Sequence, residues 1–369
     1  MNRQTFFGRR VFITGHTGFK GAWLTQWLLQ LGAQVTGYSL DPPTTPSLFD
    51  QLNLASQIRS LHGDVRELAK LQRELTQCRP DFVFHLAAQS LVRYSYQEPV
   101  ETFATNVIGT VNLLEALRHL QHPCVAVMVT TDKCYLNQEW IYGYREHDQL
   151  GGSDPYSSSK AMAELAIESY QRSWFSQTSS ELRRIRLASA RAGNVIGGGD
   201  WALDRIVPDC IRALSKNDPV RIRNRHARRP WQHVLDPLNG YLTLAESLAT
   251  ADTAKDIIAR CSPFNFGPST DSNRTVGELV NDVLKHWPGQ GLDHTESNAP
   301  HEATLLHLCT EKANALLNWR GIWDFSTSIG KTIEWYRRVQ SGESPSEVTL
   351  AQILHFETDR YARSLVNES

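Results

Sequence analysis

A hydroxyl, a phenol and an amine recur in the middle of the chain at a spacing that suits alcohol oxidation. They are Thr131 in "VTTDKCY" (129–135) and Tyr156 and Lys160 in "YSSSK" (156–160). Four residues apart at the start of a helix, Tyr156 and Lys160 share one helix face. There the Lys160 ammonium is expected to lower the phenol pKa, so that the phenolate takes a hydroxyl proton as a hydride leaves the same carbon. Thr131, at the end of a parallel strand, is placed to hydrogen-bond the reacting alkoxide. This chemistry needs neither an acid nor a second amine, yet Asp132 and Lys133 follow Thr131 directly.

A hydride needs an acceptor, and the N-terminal part of the chain supplies a site for one. "TGHTGFKG" sets Gly15, Gly18 and Gly21 in a G-x-x-G-x-x-G pattern between the strand "RVFIT" (10–14) and an amphipathic helix. Such glycines allow a tight turn that brings a pyrophosphate onto the helix N-terminus, where free N–H groups favour anions. Thr17 and Phe19 within the turn, and Leu86, Ala87 and Ala88 of "HLAAQ" (85–89), are assigned to the same cofactor site. Asp41 stands at the distance expected of an acid on the ribose hydroxyls of NAD, and no arginine near that strand end offers to meet a 2′-phosphate. NAD is therefore expected over NADP. Asp41 also suits a turn before Pro42 and Pro43, and Asp64 in "HGDVR" suits either the adenine or a turn.

The elements that must position these groups alternate. "AQVTGYSL" (33–40), "PDFVFHLAA" (80–88), "CVAVMVTT" (124–131) and "RRIRLASARAGNV" (183–195) read as strands or strand entries, the middle two nearly all apolar, as in parallel sheets covered on both faces. Between them Trp23, Leu24, Trp27, Leu28 and Leu31 recur at helical spacing up to Gly32, and 105–120 and 155–175 read as further helices. The pattern predicts an α/β fold with a doubly wound parallel (Rossmann) sheet. After about residue 195 long loops rich in Gly, Pro, Asp and Arg alternate with short helices such as 275–287 and 326–339. The expected organisation is a cofactor-binding domain over 1–195, with later segments returning to it. A smaller loop-rich substrate domain over 196–345 and a polar C-terminal tail over 346–369 follow.

Composition narrows the class. In 369 residues, 41% hydrophobic and 21% charged, the net charge of -1 offers no general field for nucleic acid, so the basic run "RIRNRHARRP" (221–230) reads as a local site for a small anion. Six cysteines without a C-x-x-C pair, several in apolar runs, indicate reduced thiols in a cytoplasmic protein. The thirteen histidines show no metal-ligand spacing, so no metal is expected. No apolar leader opens the sequence, and no run approaches the ~20 apolar residues of a membrane span.

Together the glycine pattern, "HLAAQ", Thr131 and the Tyr156/Lys160 pair resemble the extended short-chain dehydrogenase/reductase family. Within it "GHTGFKG", "TTDKCY", "RAGNVIGGGDW" (191–201), "RPWQHVLDPLNGY" (229–241) and "PHEA" (300–303) resemble the nucleotide-sugar 4,6-dehydratases that act on CDP-glucose, from about residue 8 to about 340. The resemblance implies C4 oxidation, loss of water across C5 and C6, and return of the hydride to C6. It also accounts for the extra acid and amine. Oxidation at C4 acidifies the C5 proton, and elimination then requires a base at C5 and an acid at O6. Related dehydratases carry Thr-Asp-Glu here; the CDP-glucose members resemble Thr-Asp-Lys. Asp132 is thus assigned as acid and Lys133 as base, which asks Lys133 to be largely neutral; its other reading is a partner of Asp132 or a substrate contact.

By the same resemblance Arg229 clamps the substrate pyrophosphate, Asn194 contacts phosphate or sugar, Asp200 and Trp201 stand at the pocket mouth, and Gln89, Arg93 and Arg205 complete the substrate site. The family also implies a homodimer or homotetramer built on helices 102–120 and 155–175, and a place on the route to dideoxy sugars of surface polysaccharides. Ser90 stands where proline is more usual and Cys309 where aspartate is; His301 and Glu302 are retained without an assigned role. Two other functions compete: a nucleotide-sugar 4-epimerase, for which Asp132 and Lys133 have no task, and a silent nucleotide-binding regulator, for which the Tyr156/Lys160 pair has none.

Overall fold

The computed structural model of the protein describes residues 3–176, 184–294 and 305–368. His301 and Glu302 lie outside them. Strands β1 (Arg10–Thr14), β2 (Gln34–Ser39), β3 (Arg59–His62), β4 (Phe82–His85), β5 (Cys124–Val129), β6 (Ile185–Ala192) and β7 (Phe264–Phe266) form one sheet in the order β7-β6-β5-β4-β1-β2-β3. Every pairing in it is parallel, with Thr14 opposite both Tyr38 and His85. The order reverses between β1 and β4, so their C-terminal turns diverge and leave the crevice in which open α/β sheets bind ligands.

Alternate strand residues feed two apolar layers. Phe12, Val83, Ala126 and Met128 pack with Leu71 and Leu75 of α2 (Leu68–Cys78), Leu113 and Leu117 of α3 (Gly109–Arg118) and Ile167 of α4 (Pro155–Tyr170). On the other face Val11, Ile13, Phe84 and Val127 pack with Trp23 and Trp27 of α1 (Phe19–Gln30) and Leu238 and Leu242 of α5 (Leu235–Thr250). The run read as one helix from 105 is interrupted: Ala104–Ile108 is a π-turn leading into α3, a distortion common at functional sites.

Beyond β6 the described residues make three short strand pairs: Val195–Ile196 with Gln232–His233, Arg228–Pro230 with Asn273–Thr275, and Val220–Ile222 with Gly291–Asp293. β7 and α5 rejoin the sheet from this part of the chain.

The expectation of a polar tail over 346–369 is corrected. Residues Pro345–Glu368 form helix α7, laid against α1 and against α6 (Phe325–Gln340). Val348, Ile353 and Phe356 are fully buried, and the Phe356 ring meets Trp27 and Trp323 edge-on at 5.6 and 5.1 Å. Polar side chains of the helix serve as partners for buried indoles: Glu357 accepts from Trp27, Asp359 from Trp323 and Thr349 from Trp335. A few widely spaced apolar anchors among polar residues hid this helix in the sequence. Phe356→Ala is expected to cost about 3–5 kcal/mol, the range for emptying a buried aromatic site, read as a shift in the denaturation midpoint; a loose tail would show no shift.

Candidate active site

Two turns face each other across the crevice. Gly15 adopts φ +78°, and a Cβ there would lie 2.6 Å from the Ala87 backbone nitrogen, so only glycine lets the β1 and β4 turns approach this closely. A Cβ on Gly21 would meet the Gly15 carbonyl oxygen at 2.1 Å. Gly18 precedes α1 with no side-chain cap, which leaves the first helical N–H groups turned toward the crevice. A pyrophosphate fits such a cradle. The Thr14 hydroxyl bonds His85 Nδ1 at 2.7 Å and accepts from the Ala87 N–H at 3.3 Å, and His85 Nε2 reaches Thr110. Burial first, then the Lys160 cation, lowers the His85 pKa to about 3, so the ring is a neutral strut between the strands.

Several residues assigned to the cofactor have partners within the protein. The Thr17 hydroxyl bonds Ser39 and donates to the Leu40 carbonyl. Phe19, Leu86 and Ala87 pack on the apolar layers, with Ala88 partly buried beside them. Asp41 lies beyond the end of β2, almost fully exposed, 3.1 Å from His62. Asp64 is held by Arg66 at 2.6 Å; burial would push its carboxyl up, but the Arg66 hydrogen bonds and charge outweigh that and hold it below the usual range.

The catalytic candidates converge at the C-terminal end of β5. Thr131, Asp132, Tyr156 and Lys160 are all buried. The Thr131 hydroxyl donates to Asp132 Oδ1 at 3.0 Å, while Asp132 Oδ2 has no partner among the described residues. Lys133 Nζ lies 3.6 Å from Asp132 Oδ1 and donates to Asn194 Oδ1 at 3.2 Å. Gly193 borders the carboxyl closely, since a Cβ there would come 2.8 Å from Asp132 Oδ2. Burial raises the Tyr156 pKa to about 12; Asp132 adds to the rise, while the Thr131 hydrogen bond and the Arg205 cation oppose it. The expected lowering of the phenol by Lys160 therefore does not dominate: desolvation is the largest influence, and the Arg205 cation counters part of it. Lys160 itself falls to about 8 through burial, with Glu164 one turn further along α4 working to keep it charged.

Of the substrate candidates, Asn194 touches Lys133 and Arg205 acts on Tyr156 through its charge. Arg205 donates to Asp200 at 3.0 Å and to Ser90, the residue that replaces proline, at 3.4 Å. Trp201 bonds Gln51 and packs edge-on against Tyr336 at 5.2 Å, which makes it a fixed wall. Arg93 approaches Asp204 at 3.9 Å, and Arg229 donates to the Arg228 carbonyl from the strand Arg228–Pro230. Gln89 spends its side chain on protein partners, donating to the Leu91 carbonyl and to Thr102. Asn106, presented by the π-turn, grips the Gln89 backbone at both its N–H and its carbonyl and donates to Ser159 in α4.

Lys20 and Tyr241 were not singled out in the sequence. Lys20 sits in the first turn of α1, donates to the Tyr241 hydroxyl at 3.3 Å and lies within the electrostatic reach of Arg205, Lys160 and Asp132. Burial, then Arg205 and Lys160, lower its pKa to about 7 against the partial opposition of Asp132. The available signal was a lysine inside the otherwise apolar "GFKGAWL". The unfolded chain binds this proton below its ordinary 10.5 and the folded chain only below about 7, so stability falls as pH drops through that window. Lys20→Met is expected to raise stability at pH 8 by about 1–3 kcal/mol while lowering turnover, the trade expected at an active site; parallel melting and rate measurements check it.

The family model described as GDP-mannose 4,6 dehydratase matches residues 12–332. A CDP-glucose 4,6-dehydratase of Salmonella typhimurium is 46% identical over 347 residues, 93% of this chain and 94% of that one. Among solved structures, a UDP-glucuronic acid 4-epimerase from Bacillus cereus superposes with a TM-score of 0.75 at 21% identity, covering 89% of this chain and 99% of that one. A dTDP-glucose 4,6-dehydratase from Bacillus anthracis in complex with NAD does so with 0.72 at 18%, covering 91% and 99%. At those identities the structures speak for the fold alone. Among the described residues no helix is long and apolar enough to cross a membrane, and no cluster of three His, Cys, Asp or Glu is placed to hold a metal.

Proposed function

This chain belongs to the GDP-mannose 4,6-dehydratase family, and from that premise we propose that it dehydrates CDP-glucose to CDP-4-dehydro-6-deoxyglucose with NAD as resident cofactor. The observation that carries the reading is the joining of an acid and an amine, Asp132 and Lys133, to the buried Thr131–Tyr156–Lys160 group. The 46% identity with a CDP-glucose 4,6-dehydratase supports the substrate.

The glycine cradle and the open end of α1 would hold the NAD pyrophosphate, and Tyr156 and Lys160 would border its nicotinamide end. NAD bound there would supply the acceptor for the C4 hydride and its return to C6. The side chains manage protons: Tyr156 receives the one on O4, Lys133 removes and restores the one on C5, and Asp132 supplies one to the departing O6 hydroxyl. Asn194 aims the Lys133 amine. Arg205, Arg229 and Arg93 face the nucleotide diphosphate, with Asp200 fixing Arg205 and Trp201 closing the mouth.

Exposed Val100, Ile108, Met162 and Leu165, on the helical stretches before α3 and along α4, support self-association as a homodimer or homotetramer. A cytoplasmic place in deoxysugar and surface-polysaccharide synthesis completes the reading. Purified protein is incubated with CDP-, UDP- and dTDP-glucose without added NAD, and the products are weighed. Loss of one water from CDP-glucose alone is expected. An isomer of unchanged mass would instead make the chain an epimerase, and no change even with NAD supplied would leave only a binding role.

A further inference from the structure

The proposed reaction leaves two groups in the wrong protonation state after every turnover. The water released consists of the O6 hydroxyl and the hydrogen that began on O4, since the C5 proton is returned to C5. Tyr156 therefore ends as a phenol and Asp132 as a carboxylate, whereas the next substrate requires a phenolate and a carboxylic acid. One proton must pass from Tyr156 to Asp132 in each cycle. Bulk water is a poor carrier for it, because Tyr156 is 7% exposed and Asp132 1%.

The Thr131 hydroxyl is placed to join them. It donates to Asp132 Oδ1 at 3.0 Å, lies near enough to the Tyr156 phenol to counter the rise that burial imposes on it, and is itself buried. Its backbone is pinned at this point: Thr131 caps the short 3₁₀ turn Asp132–Cys134, its oxygen accepting from the Lys133 N–H, so the hydroxyl has one defined station between donor and acceptor.

Resting on the dehydratase reading, we propose that Thr131 relays this proton and so resets base and acid together. The Tyr156 O–H bond breaks as its proton joins Thr131 Oγ1, and the proton already on Oγ1 passes to Asp132 Oδ1. Two O–H bonds break and two form. The products are a phenolate, an unchanged threonine and a carboxylic acid, with no electron transferred and no co-reactant consumed.

A threonine that only hydrogen-bonds O4 would affect the first turnover and all later ones alike; a relay would not. Thr131→Val and Thr131→Ser are compared with the parent holoenzyme in single-turnover and steady-state dehydration of CDP-glucose. Thr131→Ser, which keeps the hydroxyl, is expected to stay within about fivefold of the parent in both regimes. Thr131→Val is expected to slow the steady state at least tenfold more than its own first turnover, since its reset must go through solvent. Equal losses in the two regimes would overturn the relay. If Thr131→Val does not fold, the parent's steady-state rate in mixtures of H2O and D2O decides: two protons in flight bow the plot downward, and a straight line overturns the proposal. If the parent itself releases no water from CDP-glucose, the dehydratase reading falls first and takes the relay with it, an outcome distinct from a working dehydratase whose two regimes fall together.

Discussion

Lys133→Met is expected to lower dehydration of CDP-glucose by about 10²- to 10⁴-fold, the usual worth of a positioned acid or base. Methionine keeps the length of the stem, and Lys133 is a quarter exposed, so loss of its ammonium strands no deeply buried partner other than Asp132. Oxidation at C4 depends on Tyr156, Lys160 and Thr131 and should survive. The variant is therefore expected to stall after the first step: reduced cofactor accumulates to no more than one per site, and substrate recovered from D2O carries no deuterium at C5. A variant that stays within tenfold of the parent would make Lys133 a mere partner of Asp132. Loss of both oxidation and exchange would show that the substitution had disturbed the whole site.

The second large effect lies behind the site. Glu164 and Arg191 form an ion pair at 2.7 Å with both side chains 2% exposed, and Thr130 and Ser189 also donate to the carboxylate. Arg191 in turn reaches the Tyr135 hydroxyl and the Glu146 carbonyl. The group thus ties the end of β5, α4 and β6 together just below Thr131, Lys160 and Asn194. Glu164→Gln leaves Arg191 as a buried unpaired cation and is expected to cost about 3–5 kcal/mol in chemical denaturation. The double variant Glu164→Gln/Arg191→Met should lose less than the sum of the single losses. Burial alone would push the Glu164 carboxyl up, but Arg191 and the hydrogen bonds outweigh it and hold the group below its ordinary 4.5. Its contribution is therefore present above pH 4.5 and lost as pH falls below it, and the gap between parent and Glu164→Gln should close in acid. Turnover should fall as well, because Glu164 helps keep Lys160 charged.

Much of this protein could be read from local pattern. Near-continuous apolar runs specify parallel strands covered on both faces, and the seven-stranded sheet has that form. The glycine pattern marked a tight turn, and at Gly21, where a Cβ would meet the Gly15 carbonyl oxygen, that turn depends on the lack of a Cβ and on nothing distant. Tyr156 and Lys160 lie on one helix face because a helix repeats every 3.6 residues, and Asp132 and Lys133 are adjacent in the chain itself.

What the sequence could not supply is which groups meet when segments far apart in the chain fold together. Tyr241, Arg205 and Asp132 come within reach of Lys20 from three separate elements, and no periodicity links their positions. Thr17 and Gln89 are polar residues in the expected turns, yet their side chains bond Ser39, Leu40 and Thr102 on other elements, a choice made by the neighbours that folding brings within reach. The Tyr156 phenol rises where adjacency to a lysine suggested a fall, because desolvation acts through everything packed around the ring. Helix α7 was hidden for the same reason: its few apolar anchors gain meaning only against Trp27 and Trp323, which the fold carries to them. Local spacing determines backbone form and the kinds of chemistry at hand, whereas pairing, burial and charge state are properties of the assembled neighbourhood, and only the tertiary structure decides them.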